Sequence, residues 1–120
     1  MKSDKIIKFK TSKLAKEKGF TYAYEFYDKK GRLEDFGMVG GYANCHTNNY
    51  PAPTQSLLQQ NLMKEKIIVW CEPIESENEG VLWTAKLINS SKSMNIIDLN
   101  LRLSYSKSLE IGLQEALKLI

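Results

Sequence analysis

The side chains of this chain that could do chemistry are few and scattered. Its one histidine, His46, directly follows Cys45, and the only other cysteine is Cys71. A Cys–His pair works when the imidazole takes the thiol proton across space and a third group orients the ring. Covalent neighbours rarely aim at each other, and no carboxylate is spaced to orient His46. The same residues fall short of a structural zinc site, which takes four ligands in recognisable pair spacing. The acidic run Glu72, Glu75, Glu77 and Glu79 lacks the Asp-x-Asp-x-Asp-Gly pattern of a calcium loop. Gly37-Met-Val-Gly40-Gly41 lacks the lysine and following hydroxyl residue of a phosphate loop, and no helix pattern opens directly behind it. The chain is expected to be no enzyme and to use no cofactor.

Binding chemistry has better material. Lys13, Lys16 and Lys18 belong to a lysine-rich start that also holds Lys2, Lys5, Lys8 and Lys10. Phe20–Tyr27 alternates so that Tyr22, Tyr24 and Phe26 are expected on one face of a strand. Lys29, Lys30 and Arg32 follow in and after a turn. Aromatic rings interleaved with basic residues are what a single-stranded nucleic acid stacks on and pairs its phosphates with. The competing reading is a strand whose rings form core, beside a lysine face that keeps the chain in solution.

The elements that would hold these residues can be read from periodicity. Lys5–Lys10 alternates apolar and basic residues, as short edge strands do. Thr11 or Ser12 is expected to cap a brief helix that Gly19 ends. Asp28–Gly31 reads as a turn, with a return strand over Arg32–Phe36. Residues 37–53 carry Gly37, Gly40, Gly41, Pro51 and Pro53 and read as a long loop. A helix follows over Thr54–Lys66, with Thr54 as cap and Leu58, Leu62 and Met63 as the buried stripe. Ile67–Cys71, apolar on both faces, reads as a central strand. Val81–Ile88 and Ile96–Ser104 are further strands, the last with Ile97, Leu99, Leu101 and Leu103 on its buried face. A final helix capped by Ser106 is expected to bury Leu109, Leu113, Ala116, Leu117 and Ile120, with Gly112 marking a close approach to the sheet. The fold expected is therefore α+β: an antiparallel sheet with helices packed on one face, in α-β-β-β-α order over residues 54–120. Residues 1–36 form an N-terminal strand–helix–hairpin extension of the same single domain.

A length of 120 residues suits one core, and a hydrophobic share of 42% with 26% charged is that of an ordinary globular protein. No apolar run is long enough to span a bilayer. No signal-like segment follows Met1, so a cytoplasmic location with reduced thiols is expected. The net charge of +3 is too mild to imply a polyanionic partner by itself.

The α-β-β-β-α order of residues 54–120 resembles the double-stranded-RNA-binding domain. The resemblance implies phosphate contacts where the last helix opens, at Ser106–Glu110. Lys107 matches that family's lysine cluster, whereas Ser108 and Glu110 depart from it, and the loop Ser76–Gly80 is acidic where the family reads a minor groove. A broader likeness runs through Lys5–Phe20, Phe26–Gly31, Ala52–Gln59 and Ser108–Ile120. These blocks resemble a family of short uncharacterised proteins from prophages and mobile elements of gut bacteria, which implies an accessory role and brings no catalytic residues.

These readings favour a small non-enzymatic accessory protein that acts by binding another protein. The alternative is a weak nucleic-acid-binding module that uses Lys13, Lys16, Lys18, Tyr22, Tyr24, Lys29, Lys30 and Arg32. Self-association into a homo-oligomer is a third class.

Overall fold

The computed structural model describes residues 4–34, 42–75 and 80–120. It is an α+β fold of three helices and antiparallel strands, in two compact units that divide between Leu58 and Gln59.

The first unit is built around helix α1, Phe9–Glu17. The expected strand over Lys5–Lys10 is reduced to one bridge, between Ile6 and Thr54. Its backbone is held there by Ile7 N donating to Pro53 O and Gln55 N donating to Lys5 O, and the chain turns helical at Phe9. Lys8 stands at the N-cap with no side-chain cap bond. Thr11 and Ser12 are buried inside the helix, and the Ser12 hydroxyl donates to the Pro51 carbonyl instead of capping. Tertiary bonding has thus displaced the local cap. The C-terminus follows the sequence. Gly19 takes φ +93°, its N–H donates to Lys16 O, and the Phe20 N–H reaches back to Ala15 O, the double closure that a left-handed residue after a helix allows.

Beside α1 lie two short antiparallel ladders. β1 (Tyr22–Ala23) pairs with β3 (Ala43–Asn44), and β2 (Phe26–Tyr27) pairs with β4 (Tyr50–Pro51). A bend at Tyr24–Glu25 separates β1 from β2 and resets the alternation. Tyr22 and Tyr24 are therefore exposed while Ala23 and Phe26 are buried, which overturns the expected single aromatic face. The turn at Asp28–Gly31 forms as expected, with Asp28 Oδ1 accepting from the Lys30 and Arg32 N–H groups. Of the return strand, Leu33 bridges Tyr27; Asp35 and Phe36 lie outside the described residues, as do Gly37, Gly40 and Gly41. The described part of the expected loop supplies β3 and β4, and Asn49, Pro51, Ala52 and Pro53 are buried.

The chain passes to the second unit within helix α2, Gln55–Lys64. Thr54 caps it, its hydroxyl accepting from Leu57 N at 3.3 Å. Leu58 and Leu62 are fully buried, whereas Met63, expected in the stripe, is 55% exposed. The second unit holds a three-stranded sheet in the order β5 (Ile67–Ile74), β6 (Leu82–Asn89), β7 (Ile97–Asp98). The expected central strand is thus at an edge, and β6 is in the middle. On β5 the outer carbonyl of Val69 is satisfied by the Gln59 side-chain amide, so a helix residue supplies what a neighbouring strand would have. The third strand is shorter than its alternation predicts. Asn100 adopts φ +55°, which interrupts the ladder, and pairing resumes only at Leu103 opposite Trp83. Ile97, expected on the buried face, is exposed. A break of this kind in an edge strand discourages further pairing.

Helix α3, Tyr105–Leu117, packs on this sheet. Ser104, not Ser106, is its N-cap, accepting from Lys107 N. Leu109, Leu113, Ala116 and Leu117 are buried as expected, and Ile120, beyond the helix, is exposed. A Cβ on Gly112 would lie 2.9 Å from Ala85 Cβ and 3.0 Å from Val69 Cγ1, so the glycine marks the closest approach of helix to sheet.

Candidate functional site

The basic residues expected to form one binding face have different fates. Lys16 Nζ donates to the carbonyls of His46 (2.6 Å) and Asn49 (2.8 Å) and lies 4.7 Å from the Tyr50 ring centroid. Lys13 Nζ stands 5.1 Å over Phe9. Arg32 Nε pairs with Asp28 Oδ2 at 3.1 Å, and that guanidinium and two backbone N–H groups hold the Asp28 carboxyl below its ordinary range, the Arg32 N–H contributing most. Lys18 is half-buried at the helix end, and Lys29 and Lys30 are exposed on the turn. Lys16 and Arg32 are thus engaged within the first unit, and Lys29 and Lys30 are exposed.

The aromatic part of the expected site is assembled, with a member the sequence did not suggest. Tyr22, Tyr24 and Tyr42 are 50%, 60% and 47% exposed. The Tyr22 and Tyr42 rings stack at 5.7 Å with planes 20° apart, and Tyr24 leans on Tyr42 at 5.0 Å and 55°. The β1–β3 ladder sets this cluster, because it carries Tyr42 beside Tyr22 and Tyr24. Only the pairing reveals Tyr42, since in sequence it stands at the end of a glycine-rich run.

A second candidate lies on the face of the second unit's sheet opposite α3. Register places Glu72 across from Thr84, and Lys86 between Trp70 and Asp98. Lys86 Nζ pairs with Glu72 Oε2 at 2.5 Å and approaches Asp98 Oδ2 at 4.0 Å. The Glu72 hydrogen bond, chiefly, raises the Lys86 pKa. The Asp98 carboxyl is held low, first by the Asn100 N–H and then by the Thr84 hydroxyl and Lys86. Thr84 Oγ1 in turn accepts from Leu101 N at 2.9 Å. These charges border a cleft of about 360 Å³ that also takes in Ile74, Leu101 and Arg102. With the ammonium pushed up and the carboxylate pushed down, neither changes protonation near neutrality. The cleft offers fixed charges for recognition.

No family model, curated protein or solved structure matches the chain. Cys45 and Cys71 form no disulfide, the Cys71 thiol donating to the Tyr105 carbonyl, and His46 is exposed. Among the described residues no three metal-ligating side chains come together, and no helix is long and apolar enough to cross a membrane. Of the acidic run, Glu77 and Glu79 lie outside the described residues. Lys107, the residue shared with the RNA-binding resemblance, is exposed at the start of α3.

Proposed function

We propose that this chain is a non-enzymatic binding module that engages another protein through Tyr22, Tyr24 and Tyr42. The carrying observation is the exposure of three mutually packed tyrosine rings. Tyrosine offers a large, stiff contact surface with a polar tip, which is why it is enriched at the centres of protein interfaces. An accessory role in the cytoplasm, of the kind implied by the likeness to prophage and mobile-element proteins, accords with this reading. The test compares proteins retained from a lysate of the producing cells by the wild type and by a Tyr22→Ser/Tyr24→Ser/Tyr42→Ser variant. A defined protein held by the first and lost by the second supports the module. Identical retention on both overturns it.

A second reading has one observation behind it: stacked, exposed tyrosine faces beside a chain that also exposes Lys29 and Lys30. An unpaired base can stack on such a face. Anisotropy titrations of labelled single-stranded DNA and double-stranded RNA at low and physiological salt test it. Binding that survives physiological salt and weakens on Lys29→Glu/Lys30→Glu favours nucleic acid. Lys16 must be left intact, because of its bonds to the turn at His46–Asn49.

A further inference from the structure

We propose that the cleft on the open face of the β5–β6–β7 sheet binds a free amino acid as its zwitterion. The cleft is lined by the row Glu72, Lys86, Asp98, in which a single ammonium serves two carboxylates. That row has an excess of negative charge. Arg102 also lines the cleft and makes no hydrogen bond or ion pair among the described residues. Ile74 and Leu101 contribute apolar surface to the same lining.

This arrangement matches one ligand chemistry. A guanidinium that makes no ion pair among the described residues can recognise a carboxylate through two parallel bonds. The carboxylate row accepts an ammonium, and an apolar side chain covers Ile74 and Leu101. A cation alone would leave Arg102 unused, and an anion alone would face Glu72 and Asp98. At about 360 Å³ the cleft is near the lower limit of small-molecule sites, which begin at roughly 300 Å³. That size suits a single amino acid. The positive φ of Asn100 belongs to the same device. Asp98 fixes it by accepting the Asn100 N–H, and the turn lets one short segment present Asp98 and Arg102 to the same cleft.

The test is an amide NMR titration of the full chain with L-leucine, N-acetyl-leucine and leucinamide. Leucine is expected to give saturable shifts at Thr84, Asp98 and Arg102 with a dissociation constant on the order of 1 mM. Each capped form should bind at least roughly tenfold more weakly, as should leucine to Arg102→Gln. Arg102 is exposed, so that variant should keep the wild-type spectrum, and Glu72→Gln provides an independent loss at the carboxylate row. The proposal is overturned by the absence of saturable shifts for leucine at concentrations roughly twentyfold above 1 mM. Equal affinity for the capped forms, or shifts confined to other residues, overturns it as well.

Discussion

Lys16 Nζ donates to the Asn49 carbonyl at 2.8 Å, and this bond ties the first helix to the turn that leads into β4. The His46 carbonyl shares the same ammonium. Removing it leaves the part-buried Asn49 carbonyl without a charged donor, at a cost of about 1–3 kcal/mol. Lys16→Met, which keeps the aliphatic stem, should lower the urea midpoint accordingly, and Lys16→Glu should lower it further by repelling the carbonyls. Lys13→Glu removes only a cation–ring contact with Phe9, about 0.5–1 kcal/mol at an exposed site. Equal losses at positions 13 and 16 would show that the carbonyl cradle contributes nothing.

The start of α3 offers a sharper contrast with local pattern. Ser104 Oγ accepts from Lys107 N, which satisfies one of the donors that a helix leaves open at its first turn. Ser104→Ala should cost about 1 kcal/mol and Ser104→Gly only a few tenths. Thermal unfolding of the two variants checks the ranking. Similar losses for alanine and glycine would mean that the hydroxyl bond is not the source of stability.

The same helix shows what was legible in the sequence. Leu109, Leu113, Ala116 and Leu117 recur at helical spacing and are all buried, because a stripe of that width has to meet a core. The order α2, β5, β6, β7, α3 was also readable from period and turn residues. Caps and strand ends were not. Ser104 and Ser106 are both plausible caps, and the choice depends on where the third strand releases the chain. That strand reads as continuous from Ile96 to Ser104 until Asn100 turns left-handed to bond Asp98, a side-chain interaction that hydrophobic alternation does not encode. Of the candidate sites, Tyr22 and Tyr24 were identifiable, but Tyr42 joins them only through the β1–β3 register. The Glu72–Lys86–Asp98 row is likewise a product of pairing across three strands. The bonds of Lys16 to the His46 and Asn49 carbonyls are also invisible in its helix, because nothing there reveals the turn that faces it.

Stability should vary with pH at both extremes. Asp28 and Asp98 are held below the ordinary carboxylate range by backbone N–H donors, from Arg32 and Asn100 first. A lowered pKa contributes stability that is fully present above about pH 4 and is lost as pH falls through the folded-state value. Lys86 is raised, first by its bond to Glu72. Its contribution is fully present below about pH 10 and is lost as pH rises through its folded-state value. Melting temperature is therefore expected to be flat between these limits with respect to these groups. Asp28→Asn/Asp98→Asn should shallow the acid limb relative to wild type, and should change the alkaline limb less, because Glu72 is the larger cause of the Lys86 shift. An unchanged acid limb would assign acid unfolding to other carboxylates.

Gly112 brings helix propensity and packing into direct opposition. Replacing it with alanine favours the helix by about 1 kcal/mol. The added Cβ, however, would sit 2.9 Å from Ala85 Cβ and 3.0 Å from Val69 Cγ1. Neither neighbour is the far end of a flexible side chain, so helix and sheet have to separate, and overpacking of this kind costs about 1–3 kcal/mol. Gly112→Ala should therefore be destabilising overall. Ala85→Gly removes the nearer obstacle, at about 0.5–1 kcal/mol for a glycine within a strand. Combined with Gly112→Ala it should recover more than the sum of the single changes predicts, a favourable coupling of at least about 0.5 kcal/mol in a double-mutant cycle. Denaturant unfolding of the four proteins measures that coupling. If Gly112→Ala raises stability instead, helix propensity outweighs packing, and the sheet can yield by a few tenths of an ångström without loss.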